Sequence, residues 1–317
     1  MSAPVPAEDE AEPRLGSLLG AGVLAAGLFA APRYLPILLP LGLVSPLPLM
    51  LQRLRGSAGS TALATVLATA LVGALFTPGP ALWFLAVLAA PGLLIAESLA
   101  RGRGLLRGCG WAFALLVTEI GLALLFAGEA LAEQVLAPLE ELRSEAFLGE
   151  LKAGGVADDR ATAWAEQVGT LRGALSIVFP AFYVIGGAMV ILANATLLRL
   201  YLLRRDPGWL EDGEFERVRW SLGLVATFVL AGAAVAVPAA RPAAYNVLLV
   251  VAFFFSLQGL AVVAFYARRL AGPPLLRWAV VMLVLANPWA PQILALLGLF
   301  DNWFDFRRWA EPPPEEG

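Results

Sequence analysis

The chain has no histidine, one cysteine (Cys109) and one lysine (Lys152) in 317 residues. Without histidine there is no Ser–His or Cys–His nucleophile pair, no Cys/His zinc site and no ordinary haem ligand. A membrane metalloprotease, a rhomboid-like serine protease and a cytochrome thereby lose the residues their chemistry needs. A single cysteine excludes an internal disulfide. Cys109, between Gly108 and Gly110, reads as a packing residue. Charge is scarce as well: 15% of residues are charged, against about a quarter in soluble domains. The net charge of −3 and the lack of a basic patch with interleaved aromatics argue against a nucleic-acid partner. No cofactor or metal set is expected.

What fills the chain instead is apolar: 59% of residues are hydrophobic, in long runs broken by short arginine-bearing loops. Residues 247–267 carry no charge and end in Arg268-Arg269. About 20 such residues, rising 1.5 Å each, cross the hydrocarbon of a bilayer. Spans are predicted at roughly 16–31, 35–51, 61–76, 81–99, 109–127, 174–199, 221–239, 245–267 and 278–299. The fold class is therefore all-α: a polytopic transmembrane helical bundle of eight or nine spans. It forms one membrane domain over 16–309, between an acidic tail (1–15) and a short tail (310–317). Pro36, Pro40, Pro46 and Pro48 predict a broken or tilted second span. Thr77-Pro78-Gly79-Pro80 marks a turn between the third and fourth.

Arginines fall in alternate loops: Arg53 and Arg55; Arg101, Arg103 and Arg107; Arg199, Arg204, Arg205, Arg217 and Arg219; Arg268, Arg269 and Arg277. The positive-inside rule makes these loops cytoplasmic, with the N-terminus inside. Arginine in place of lysine, together with abundant Ala, Gly, Leu and Pro, suggests a GC-rich bacterial genome and hence a bacterial inner membrane. Arg307 and Arg308 break that rule if the last segment spans fully. The run Asn287-Pro288-Trp289-Ala290-Pro291 could break it into a half-membrane hairpin, and a single kinked span is the alternative.

Residues 128–172 differ, with nine acidic and four basic side chains. Leu131, Val135, Leu139 and Leu142 recur near helical spacing, and Trp164, Val168 and Leu171 mark a second stretch beyond Gly154-Gly155. An amphipathic helical hairpin on the outer face is expected, as a cap for the bundle or a lid over an outward-facing site.

Ionisable groups in a membrane are costly and count as site candidates. Glu97, four residues before Arg101, is explained by a local ion pair. Glu119, deep in the fifth span with no base within a turn, is the stronger candidate. Thr61, Thr65 and Thr69 form a hydroxyl stripe, while Asn194 and Gln258 lie within the sixth and eighth spans. These groups either join helices by hydrogen bonds or surround one cavity, giving Glu119, Asn194, Gln258, Thr65 and Thr69 as candidate ligand contacts. Small residues on the first span, Gly20, Ala21 and Ala25 among them, suit close approach of a partner helix. Asp301 and Asp305 could share a cation, but no third ligand accompanies them; pairing of Asp305 with Arg308 in an aromatic belt explains them better. No catalytic residue is assigned.

Three segments carry a resemblance: Ser45-Pro46-Leu47-Pro48 before Arg53; Gln258-Gly259-Leu260-Ala261-Val262 running into Arg268-Arg269; and Leu297-Gly298-Leu299-Phe300-Asp301 through Arg307. Their order and spacing resemble the YybS-like family of uncharacterised bacterial membrane proteins, distantly similar to the S components of energy-coupling-factor vitamin transporters. The resemblance implies an S-component-like bundle in the first six helices, with further C-terminal helices appended. It also implies that the alanine-rich first span docks a partner. The expected function is binding or uptake of a small solute without enzymatic activity, alongside an ATPase transporter module. The alternative is a membrane scaffold or assembly factor for other integral proteins. In either case the bilayer is the first partner.

Overall fold

The computed structural model describes residues 15–210, 215–269, 279, 282–284 and 286–310. The two expected tails (Leu15 and Ala310 aside), Arg277 and part of 278–299 lie outside these residues. The described residues contain helices and no strand. In chain order they are α1 (Leu15–Tyr34), α2 (Leu39–Leu43), α3 (Leu47–Arg55), α4 (Ala58–Leu75), α5 (Pro78–Trp83), α6 (Ala90–Ala100), α7 (Leu105–Glu141), α8 (Glu145–Ala153), α9 (Asp158–Arg205), α10 (Leu222–Ala234), α11 (Arg241–Arg269) and α12 (Ala290–Phe304).

Among the described residues, seven helical stretches are long and apolar enough to cross a membrane, matching seven of the nine predicted spans. The stretch Pro36–Arg55 is broken as its prolines require: a 3₁₀ turn at Pro36–Leu38, then α2, then α3. A π-helical turn, Phe84–Ala89, joins α5 to α6 just ahead of Pro91. The two exceptions are at the C-terminal end. Helix α10 has 13 residues. A turn at 286–289, where Asn287 Oδ1 accepts from the Trp289 amide, precedes the 15-residue α12. At 1.5 Å per residue α12 is about 22 Å long, short of the roughly 30 Å hydrocarbon. The chain thus breaks at the asparagine–proline run.

The chain divides into two compact units. Unit 1 draws on Met1–Leu125 and Gly186–Asp212, and unit 2 on Phe126–Ile185 and Gly213–Gly317. In unit 1 small residues let helices approach: Ala25 and Ala26 of α1 pack with Ala64 and Ala68 of α4, Leu49 of α3, and Phe84 and Leu88. Phe29 closes one side with edge contacts to Phe76 and Phe84. A second cluster joins Met50, Ile95 and Leu99 to Leu105, Ala112 and Leu116 of α7 and to Ile191, Ala195 and Leu198 of α9. Outward-facing side chains are apolar too, with Leu63 60%, Val66 65% and Leu125 74% exposed. Such a surface is stable in lipid and not in water.

In unit 2, α7 bends at Ala127, beside Gly128, and continues as helix to Glu141. Residues 128–172 therefore fold as extensions of α7 and α9 joined through α8, with Ser144 capping α8 by accepting from the Phe147 amide. Leu136, Ala161 and Val168 are buried between them, while Trp164 and Leu171 remain exposed. Glu140 pairs with Arg172 at 2.8 Å, and Trp164 Nε1 donates to the Leu142 carbonyl.

One contact was not foreseen. Pro180 interrupts α9, and Asn246 of α11 inserts its side-chain amide at that point. Asn246 Oδ1 accepts from the Ala181 amide at 2.8 Å, and Nδ2 donates to the Ile177 carbonyl at 2.7 Å. These are the donor and acceptor that an unbroken helix would join to each other. Asn246→Leu is expected to strand both groups and cost about 1–3 kcal/mol for each one left unmet. The check is the thermal midpoint of the detergent-solubilised protein, with Asn246→Gln giving no full rescue because the clasp depends on side-chain length.

The tightest packing in unit 2 is between α11 and α12. A Cβ on Gly259 would lie 2.0 Å from the Leu294 carbonyl oxygen, and one on Gly298 would lie 1.9 Å from that of Phe255. Only glycine fits at either position, so the two backbones touch directly.

Candidate functional site

The polar residues predicted from the sequence separate into two groups. Glu119, Asn194, Thr65 and Thr69 lie in unit 1, and Gln258 lies in unit 2. The threonine stripe is satisfied within its own helix: Thr65 Oγ1 donates to the Thr61 carbonyl at 2.8 Å, and Thr69 Oγ1 to that of Thr65 at 2.9 Å. Such back-bonding is the ordinary way for a hydroxyl to be carried on an apolar helix.

Asn194 does something more specific. Its Nδ2 donates to the Leu43 carbonyl at 3.0 Å and to the Val190 carbonyl at 2.9 Å. Leu43 is the last residue of α2, where the proline break leaves a carbonyl without its helical donor. Asn194 thus ties α9 to the broken second segment, and its Oδ1 is enclosed with no hydrogen-bond partner among the described residues. Ser45, two residues past Leu43 in the break, is fully buried, and its Oγ is likewise without a partner.

Glu119 is half-buried on α7, with Oε2 enclosed and unpartnered among the described residues. The side chain of Leu116, one turn earlier, fills the space over Gly187 of α9. Because α7 and α9 run antiparallel, Glu119 lies one turn beyond that level, roughly 15 Å of helix from Asn194.

Glu97 is accounted for by ion pairs. It meets Arg101 at 2.6 Å, as its spacing predicts, and also Arg53 of α3. On α1, Ala25 is fully buried and Ala21 packs against the same core, so both serve packing within unit 1. Gly20 is exposed, as are Gly16 and Gly27, and a Cβ at any of the three would meet nothing within 4 Å.

In unit 2 the C-terminal motif folds into a closed polar knot. Asp301 is fully buried. It accepts from Arg307 Nη1 at 2.6 Å, from Gln258 Nε2 at 2.8 Å and from the Phe306 amide at 3.2 Å. Gln258 Oε1 in turn accepts from the Trp220 amide, and Arg307 Nη2 donates to the Val218 carbonyl. Asp305 pairs with Arg308, as predicted, and also with Arg219. Both aspartates are thus committed to arginines, and no group of three potential metal-ligating side chains exists among the described residues. Gln258 has a structural task here. The sequence reading missed Ser45 as a single residue, the Asn246 clasp and the long-range partners of Asp301. Only the position of Ser45 within its proline corner was visible beforehand.

Residues 23–302 match the family model described as predicted membrane protein DUF2232. That match covers most of the chain, which therefore belongs to this family of membrane proteins. No curated protein and no solved structure matches it.

Proposed function

We propose that this DUF2232 protein is a non-enzymatic membrane subunit that binds a small polar solute through unit 1, in the manner of a transporter S component. The observation that carries this reading is the set of enclosed oxygens in unit 1 that have no hydrogen-bond partner among the described residues: Ser45 Oγ, Glu119 Oε2 and Asn194 Oδ1. A buried polar atom left unmet costs about 1–3 kcal/mol, so a ligand offering donors or a cation gains by meeting it. Two of the three stand at the break between α2 and α3. Discontinuous helices within a membrane are where backbone and side-chain groups can be turned toward a solute. In this reading the chain has eight or nine spans, an N-terminus in the bacterial cytoplasm, and an ATPase-bearing module as its partner.

The test uses variants that leave the Asn194–Leu43 tie intact. Ser45→Ala and Glu119→Gln are expected to weaken retention of a co-purifying solute about tenfold each, as for loss of one hydrogen bond to a bound group. Native mass spectrometry of protein released from mild detergent reads the retained mass. Full retention in both variants, or no retained small molecule in the parent protein across expression hosts, overturns the reading.

A scaffold role is the second reading, favoured by the open glycine face of α1 at Gly16, Gly20 and Gly27. Gly20→Trp is then expected to abolish photocrosslinking from α1 to a stoichiometric integral partner. Crosslinking that persists unchanged removes this face from consideration.

A further inference from the structure

One end of unit 1 gathers arginines from three separated stretches. Arg53 of α3 pairs with Glu97 of α6, and the guanidinium of Arg55 sits 5.3 Å above the ring of Tyr201 on α9. Leu54, Leu99, Leu105, Leu202 and Trp209 pack together beneath them. Arg204 and Arg205 follow Tyr201 by three and four residues, so they project from the same side of α9 as the ring that carries Arg55. The turn after α6 adds Arg101 and Arg103. Gly102, at φ +66, closes it in a left-handed cap in which the Arg103 amide donates to the Ser98 carbonyl and the Gly102 amide to that of Leu99. The backbone donors of this turn are thus used up, and it presents side-chain charge only.

The balance of charge at this end is one-sided. Glu97 is held between Arg53 and Arg101. Arg55, Arg103, Arg107, Arg204 and Arg205 make no ion pair among the described residues, and Asp206 is the other described carboxylate here. Helix α9 leads into the cluster with an exposed apolar edge: Leu197 37%, Leu200 43% and Leu203 41% exposed, then Arg204. An apolar strip ending in guanidinium groups has the amphipathic order of a phospholipid, acyl chain first and phosphate last.

We propose that this end of unit 1 is a binding surface for an anionic phospholipid, with Arg55, Arg204 and Arg205 holding the headgroup phosphate and Leu197 and Leu200 the start of an acyl chain. Arginine suits the task because its planar fork meets phosphate oxygens in pairs, and stacking on Tyr201 already orders Arg55. A soluble phosphate would gain nothing from the leucine strip, which is why the occupant is a lipid. The proposal is independent of the solute site at Ser45, Glu119 and Asn194.

The experiment titrates delipidated, detergent-solubilised protein with phosphatidylglycerol and with phosphatidylcholine of the same acyl chains, reading bound lipid by native mass spectrometry. Each arginine near an anionic headgroup is worth about fivefold, so removing three is expected to weaken phosphatidylglycerol binding on the order of a hundredfold. The triple variant R55Q/R204Q/R205Q should lose the preference for phosphatidylglycerol, whereas R160Q, at an exposed position in unit 2, should keep it. R204K/R205K, which preserves charge, should retain most of the binding and shows that the positions tolerate change. Equal binding of the two lipids by the parent protein overturns the proposal, as does undiminished preference in the triple variant. Competition by free glycerol phosphate at lipid-like concentrations would make this a soluble-phosphate site and overturn the lipid assignment.

Discussion

Gly298→Ala is expected to remove the folded protein almost entirely, although it adds one methyl group to a helix. That methyl would lie 1.9 Å from the Phe255 carbonyl oxygen and 2.8 Å from the Gly259 amide nitrogen, both backbone atoms inside α11. A flexible side chain could turn away; a helical carbonyl cannot. The helices must separate, and separation pulls Gln258 away from Asp301, which it meets at 2.8 Å. We expect a cost at or beyond about 3 kcal/mol, the upper end for an overpacked core. Gly259→Ala should behave alike, since its Cβ would meet the Leu294 carbonyl at 2.0 Å. Gly20→Ala supplies the contrast: nothing lies within 4 Å of its Cβ, and better helix propensity makes it neutral or slightly stabilising. Yield of monodisperse protein by fluorescence-detected size exclusion, and its thermal midpoint, read all three. Parent-like behaviour of Gly298→Ala would mean that α11 and α12 do not touch.

The same pair of helices shows what could and could not be read from the sequence. Long apolar runs placed seven helices correctly because lipid imposes a length and forbids charge, and both constraints are local in sequence. The prolines of the second span and the asparagine–proline run at 287–291 announced their breaks for a similarly local reason. Glu97 with Arg101 was legible because helical spacing alone brings them together, whereas Asp305, the left-handed cap of α12, meets Arg308 across the 3₁₀ turn that follows. Gln258 looked like a ligand contact, since an amide in an apolar run gives no sign of its partner; that partner lies 43 residues on, across a glycine contact. Asn246 and the proline-interrupted turn of α9 are 65 to 69 residues apart, and neither residue type predicts the other. Polar groups in a membrane are visible one at a time, whereas their satisfaction is a tertiary property.

That distinction sets the second large effect, at Asp301. A fully buried carboxylate is tolerable only while Arg307, Gln258 and the Phe306 amide all meet it. Asp301→Ala leaves Arg307, itself 11% exposed, without its counter-charge, and we expect a loss of about 3–5 kcal/mol. Arg307→Met is expected to cost a similar amount by leaving the aspartate unpaired. The double variant separates the ion pair from the space it fills: once both charges are gone, neither desolvation penalty remains, so its loss should fall below the sum of the single losses by about 0.5–3 kcal/mol. Strict additivity would mean that Asp301 and Arg307 do not interact. A cation held by Asp301 and Asp305 makes the opposite forecast, namely that Asp305→Ala should equal Asp301→Ala and that added divalent metal should stabilise only the parent. Asp305 is more exposed than Asp301 and pairs with Arg219 and Arg308 near the surface, where such bridges contribute about 0–1 kcal/mol. Its removal should therefore be mild. The thermal midpoints of these four variants, with and without metal, decide whether the C-terminal motif is a lock between helices or a site.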